Sequence, residues 1–238
     1  MSAKNVTAKR PRLKEEKAGE LELEMPKLQR NTLNEEVYQQ LKHALMSGRI
    51  APGSTMTIRS LAKSFGISPM PVREALRRLV AEHVLVLLPN RSVSLPIITR
   101  ERFREITRIR TSLEGLAAEE ATPLVTADVL RRMAVLNDEM ERPGQTKHPE
   151  YLVKNREFHF CLYQSSRLPT LVKIIEALWL QIGPLLTIQQ EEFASESVIV
   201  QTQHRRLLKA LKKGDAVEAR EAIVNDIEDA AKVIGASL

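Results

Sequence analysis

Four polar side chains in the second half of the chain have types and spacings that suit a divalent cation. Asn155 and His159 stand four apart in NREFHFCLY and share one face if that stretch is helical. His204 lies ten residues before Gly214, and Asp226 eleven after Asp215. In an antiparallel helix pair turning at 214–215 the two reach about the same height, because each helix rises about 1.5 Å per residue. An amide oxygen, two imidazoles and a carboxylate converging inside a bundle would suit zinc, nickel or manganese. Histidines that are surface-exposed or satisfied in a core are commoner than ligands, so spacing alone leaves both readings open.

A second set is cationic. In SPMPVREALRRL, residues 68–79, Pro69 and Pro71 fall in a first helical turn, where backbone N–H groups lack partners in any case. Ser68 is placed to cap that turn with its hydroxyl. At 100° per residue Val72, Ala75, Leu76 and Leu79 turn inward, while Arg73 and Arg77 share an outward stripe with Met70 and Arg78 lies further round. A solvated face is the ordinary reading of two such arginines. The preceding short helix (Ile58, Leu61, Ala62, Phe65, closed by Gly66) makes the pair a helix-turn-helix, whose second helix enters the major groove. There an arginine can donate two hydrogen bonds to guanine O6 and N7. After Val84, VLVLLPNRSVSLP reads as a hairpin, and a hairpin after a helix-turn-helix makes a winged helix. Its tip, Asn90 and Arg91, can reach the neighbouring backbone or minor groove.

The elements that must position these residues follow from composition and periodicity. Few glycines, 4% aromatic residues and an apolar set dominated by Leu, Ile, Val and Ala favour helix. Residues 31–100 carry 9 Lys+Arg against 4 Glu, whereas residues 101–238 carry 19 basic against 21 acidic. The positive charge belongs to the front of the chain and implies a polyanionic partner there. Residues 1–31 alternate Lys, Arg and Glu and read as a flexible charged tail. Leu33, Val37, Leu41, Ala44 and Leu45 mark the first helix, ended by Gly48 and Pro52-Gly53. Residues 32–97 thus form a winged-helix domain. Helical periodicity then covers roughly 99–121, 126–142, 147–166, 169–190, 195–212 and 215–235, with no further strands. Residues 98–238 read as an antiparallel all-α bundle of about six helices, and the chain as mainly α.

TIRSLAKSFGISPMPVREALRRLVAEHVLVLLPNRSVSLP closely resembles the N-terminal domain of GntR-type bacterial transcription regulators. The resemblance implies DNA contacts by Arg59, Ser68, Arg73 and Arg77, with Arg91 at the wing. His83 and Asn90 stand where the family usually has glycine, and Pro69 where many members carry arginine. RTSLEGLAAEEA (110–121), NREFHFCLYQSSRLPTL (155–171) and HRRLLKALKKGDAVEAREAIVNDI (204–227) resemble the all-helical FCD effector domain of one GntR branch. Many members of that branch hold a divalent metal on an Asp and three His, and the metal helps hold a carboxylate ligand. Carried over, those positions are Asn155, His159, His204 and Asp226. Asn replaces the usual Asp and Asp226 the usual last His, so the alternatives are one bound metal per chain or a polar pocket that takes the effector directly. Arg110 aligns with an arginine that faces the effector cavity, and it could equally pair with Glu114 one turn on.

These readings converge on a homodimeric regulator, a repressor by family habit, that binds a palindromic operator in double-stranded DNA and responds to a small organic acid. An effector-independent dimeric DNA-binding protein is the alternative. No HExxH motif or Gly-rich phosphate loop is present, which argues against an enzyme. A single cysteine, Cys161, excludes a disulfide framework and fits a reducing, cytoplasmic setting. No apolar run approaches the roughly 20 residues that span a bilayer.

Overall fold

The first core is built where the periodic apolar residues of three short helices meet. The computed structural model describes residues 32–46, 49–142, 150–188, 190–236 and 238, and, within the helices, side chains other than those of residues 32 and 186–201. The expected tail at 1–31, Gly48 and the break at Pro143-Gly144 lie outside the described residues. Helix α1 (Thr32–Met46) buries Val37, Tyr38, Leu41 and Leu45, while Leu33, at the frayed start of the stripe, stays 42% exposed. Helix α2 (Ile58–Phe65) opens on a reciprocal cap between Thr57 and Ser60 and closes on Gly66 at φ +66°, where a left-handed residue is needed.

Helix α3 (Pro69–Ala81) begins where the two prolines place it, and its inward face is Val72, Ala75, Leu76 and Leu79 as periodicity requires. Ser68 corrects one expectation. It occupies the cap position with extended backbone, yet its hydroxyl makes no capping hydrogen bond. A cap side chain accepts from the N–H of the second or third helical residue; the third residue here, Pro71, has none, which leaves Met70 as the sole candidate donor, and Ser68 does not engage it. The prolines fix the helix start by their own geometry.

Strands β1 (Thr55–Met56), β2 (Val86–Leu87) and β3 (Val93–Ser94) form an antiparallel sheet in the order β1-β3-β2. The register pairs Thr55 and Val86 with Ser94, and Met56 and Leu87 with Val93. The hairpin was legible in the sequence; β1 was not, since two residues carry no periodicity. It is held by Leu95 N–H donating to Ser54 O at 3.1 Å and Gly53 N–H donating to Leu95 O at 2.7 Å. At the wing tip the left-handed residue is Arg91 (φ +62°), not Asn90, which departs from the glycine-site expectation. Asn90 instead turns its amide oxygen to accept from the N–H of Ser92 at 3.0 Å. His83 does take the left-handed conformation (φ +58°), closing α3 with hydrogen bonds from His83 N to Val80 O and from Val84 N to Leu79 O.

The remaining helices are α4 (Arg100–Ala121), α5 (Ala127–Met140), α6 (Glu150–Ser165), α7 (Pro169–Ile188), α8 (Gln190–Lys213) and α9 (Ala216–Ala236). A 3-10 turn at Thr122–Leu124 separates α4 from α5, and Gly214 (φ +70°) turns α8 into α9. Periodicity places a gap between 190 and 195, but α8 already starts at Gln190. The stretch QQEE contains good helix formers and no breaker, so nothing there halts a helix. Helix α4 lies against α9 closely enough that a Cβ on Gly115 would sit 3.2 Å from Val224 and 3.3 Å from Arg220.

The two lobes share material. Leu180 of α7 is buried in the core formed by α1, α3 and the sheet. Lys42 of α1, 6% exposed, reaches Glu176 of α7 at 2.6 Å. Among the described residues no helix is long and apolar enough to cross a membrane.

Candidate functional site

Helix α6 sets Asn155 and His159 one turn apart, and the Gly214 turn sets His204 of α8 beside Asp226 of α9, as their equal heights require. His159 Nε2 lies 3.3 Å from Asp226 Oδ2, and His204 Nε2 lies 3.5 Å from Asp226 Oδ1. All three residues are buried, and their ligand atoms lie within 4.8 Å of one another. Burial holds the His204 imidazole down to about 4, so it is neutral at pH 7. Burial works against charge on Asp226 as well, but the two imidazoles beside it outweigh that and hold its carboxyl below the ordinary value.

Hydrogen bonding fixes the His159 tautomer. Tyr163 donates its hydroxyl proton to Glu114 at 2.6 Å. Its oxygen can then only accept from His159 Nδ1, 3.2 Å away. Nε2 of the same ring lies 3.3 Å from Asp226 Oδ2, within reach of the carboxylate. Asn155 Oδ1, both ring nitrogens of His204 and Asp226 Oδ1 are buried without a hydrogen-bond partner. Each such atom costs about 1–3 kcal/mol if left unmet.

Arg110 makes the pair with Glu114 one turn on. Its Nε donates to Glu114 Oε1 at 2.6 Å, and it still lines the cavity that holds Asn155, His159 and Asp226. Glu114, fully buried, also accepts from Trp179 Nε1 at 2.9 Å, and the Arg110 guanidinium lies 4.8 Å from the Trp179 ring centroid. Sequence reasoning missed Tyr163 and Trp179. Tyr163 follows His159 by four in the same helix and could have been found that way; Trp179 is 65 positions from its partner and gave no signal. The cavity encloses about 40 Å³.

At the other end of the molecule Arg73, Arg77 and Met70 are exposed on α3, Met70 by 59%. Arg73, Arg77 and Arg91 border a cleft of about 440 Å³ between α3 and the wing, together with Leu87, which the sequence did not single out and which is 64% exposed. Arg59 at the start of α2, Ser68 and Asn90 are exposed too, but none of them lines that cleft. Arg77 is drawn to Glu74 at 3.1 Å; among the described residues Arg73 has no ion-pair partner. Arg78 serves α3 instead. It lies 3.6 Å from the Tyr38 ring centroid and pairs with Glu35 of α1 and Glu82, strapping the helix to its core.

Comparison with known proteins follows the same division of the chain. Residues 33–95 match the family model "Bacterial regulatory proteins, gntR family", and residues 105–229 match the FCD domain. The HTH-type transcriptional regulator McbR of Escherichia coli K12 is 33% identical over 159 residues, covering 66% of this chain and 72% of that one. An uncharacterized HTH-type transcriptional regulator of Bacillus subtilis, YdhC, is 28% identical over 191 residues, covering 79% and 84%. The solved structure of E. coli McbR/YncC superposes with a TM-score of 0.78 at 29% identity, covering 87% of this chain and 98% of that one. A GntR regulator structure from Rhodococcus sp. RHA1, 19% identical, shares the fold with a TM-score of 0.72, covering 86% and 98%.

Proposed function

The chain belongs to the gntR family of bacterial regulatory proteins, with an FCD domain behind the DNA-binding segment, and from that premise we propose a ligand-controlled repressor. It binds a palindromic operator as a homodimer in the cytoplasm, each α3 reading one half-site through Arg73 and Arg77. Arg59, Ser68, Met70, Asn90 and Arg91 support the docking. A small organic acid in the bundle changes operator affinity by changing how the two winged helices are held.

Helix α7 is the observation that carries this reading. Trp179 belongs to the polar network of the cavity, and the next residue, Leu180, belongs to the core of the winged helix. One turn earlier, Glu176 Oε1 accepts from Lys42 of α1 at 2.6 Å and from Arg156 of α6 at 2.7 Å. Arg156 adjoins Asn155, which lines the cavity. A shift of α6 or α7 on ligand binding therefore reaches α1 directly. Coupling of this kind is typically 1–3 kcal/mol, a change of about 5–150-fold in affinity. Glu176→Gln is expected to shrink the ligand-dependent change in operator affinity towards none. An unchanged ratio would remove α7 from the pathway.

The donor set fits a divalent ion. His159 and His204 offer imidazole nitrogens, Asp226 supplies charge, and Asn155, whose Oδ1 is unmet, lines the same cavity. Zinc, nickel or manganese would be held by these four residues and would supply the positive charge that retains a carboxylate. Arg110, already oriented by Glu114, flanks that position. Metal analysis of protein purified without chelator is expected to find close to one ion per chain, and close to none in His159→Ala/His204→Ala. Equal content in the two proteins would eliminate the site.

A further inference from the structure

The effector cavity is polar at one end and mainly hydrocarbon at the other, along three of the four helices that wall it. Along α4, Arg110, Thr107 and Phe103 succeed one another at spacings of three and four, on one face. Along α6 the order is His159, Asn155, Leu152, with Tyr151 beside Leu152. Along α9 it is Asp226, Ala230, Ile234, which at 1.5 Å per residue spans about 12 Å. The ionisable ends meet, since His159 and Asp226 are 3.3 Å apart. The apolar ends meet too, for Phe103 and Ile234 belong to one buried cluster against which Leu152, Ala230 and Ala231 pack.

Charge is confined to one end. Of the residues lining the cavity, Arg110, His159 and Asp226 are the charge-bearing types; Tyr151, whose phenol burial keeps neutral, is the one polar side chain beside Phe103, Leu152 and Ile234. A second carboxylate or a row of hydroxyls would be stripped of water against hydrocarbon with a single phenol hydroxyl to meet it. An aliphatic tail gains there by burial.

We propose that the effector is a short monocarboxylate with an unsubstituted hydrocarbon tail. Its carboxylate lies at the end formed by Arg110, His159 and Asp226, and its tail at the end formed by Phe103, Ala231 and Ile234. Dicarboxylates and sugar acids are disfavoured by the same geometry. This narrows the effector reading given above and rests on it.

The test is calorimetric titration of the full chain, with zinc and again after chelation, using acetate, propionate, butyrate, succinate and gluconate. Affinity is expected to rise about four-fold per added methylene from acetate to butyrate, the equivalent of about 0.8 kcal/mol per buried CH₂. Succinate and gluconate are expected to bind about ten-fold more weakly than butyrate, or worse. A flat series, or gluconate or succinate matching butyrate, overturns the tail assignment and leaves the effector reading standing. Silence from all five acids in both conditions overturns the effector reading and this proposal with it. Ala231→Leu, which fills the apolar end, should weaken butyrate about ten-fold and leave acetate within about two-fold. Unchanged butyrate affinity in a variant with a wild-type melting curve counts against the proposal.

Discussion

Glu114→Ala is expected to lower the stability of the folded protein by about 3–5 kcal/mol, the cost of removing one partner of a buried ion pair. The carboxylate is fully buried and collects Arg110 Nε at 2.6 Å, the Tyr163 hydroxyl at 2.6 Å and Trp179 Nε1 at 2.9 Å. Its loss leaves a guanidinium that is 8% exposed without its counter-charge, and two further donors without acceptors. For a unit of this size each kcal/mol shifts the melting temperature by about 2–4 °C, so a fall of roughly 6–20 °C should be seen. Glu114→Gln keeps the shape and one acceptor, and should fall between the two. An Arg110→Met/Glu114→Leu double variant should recover much of the loss, because no charge is then stranded. A melting temperature for Glu114→Ala within about 2 °C of wild type would show that the network contributes nothing. The consequence for function is positional. Glu114 holds Arg110 at the cavity wall, and its removal also frees Tyr163 to change the tautomer of His159.

Arg73→Ala is expected to cost about 1–3 kcal/mol at a selected operator, five-fold to about 150-fold in affinity. The loss should be much smaller on DNA of unrelated sequence. Arg73 is exposed on the outward face of α3, in the half of the helix that starts at Pro69, and has no ion-pair partner among the described residues to release before it can meet a base. Arg77→Ala should cost less, since Glu74 at 3.1 Å competes for its guanidinium. Arg91, at the wing tip, should weaken binding to all sequences alike and flatten the salt dependence, as a phosphate contact does. Equal binding of Arg73→Ala and wild type to the same sites would refute the reading of α3 as the recognition helix.

Most of the helical framework was legible in the residues because it depends on neighbours in sequence. Periodicity of three and four marked the inward faces of α1 and α3, Gly66 marked the end of α2, and Gly214 marked the last turn. The approach of His204 to Asp226 followed from counting residues to that turn, since helical rise is constant. Local rules also misled. Ser68 has the right backbone for a cap but makes no capping bond.

What the sequence by itself determined, then, were helix faces, helix ends and the pairing of heights across a turn. These are set by backbone geometry and short-range sterics, which any stretch carries with it. Tertiary structure alone decided which polar atoms lose their water and which partners replace it. Glu114 collects Tyr163 from 49 positions away and Trp179 from 65, Glu176 joins Lys42 to Arg156, and Leu180 completes a core belonging to the other lobe. Desolvation depends on everything packed around an atom, and packing brings together residues whose separation along the chain says nothing about their distance in space.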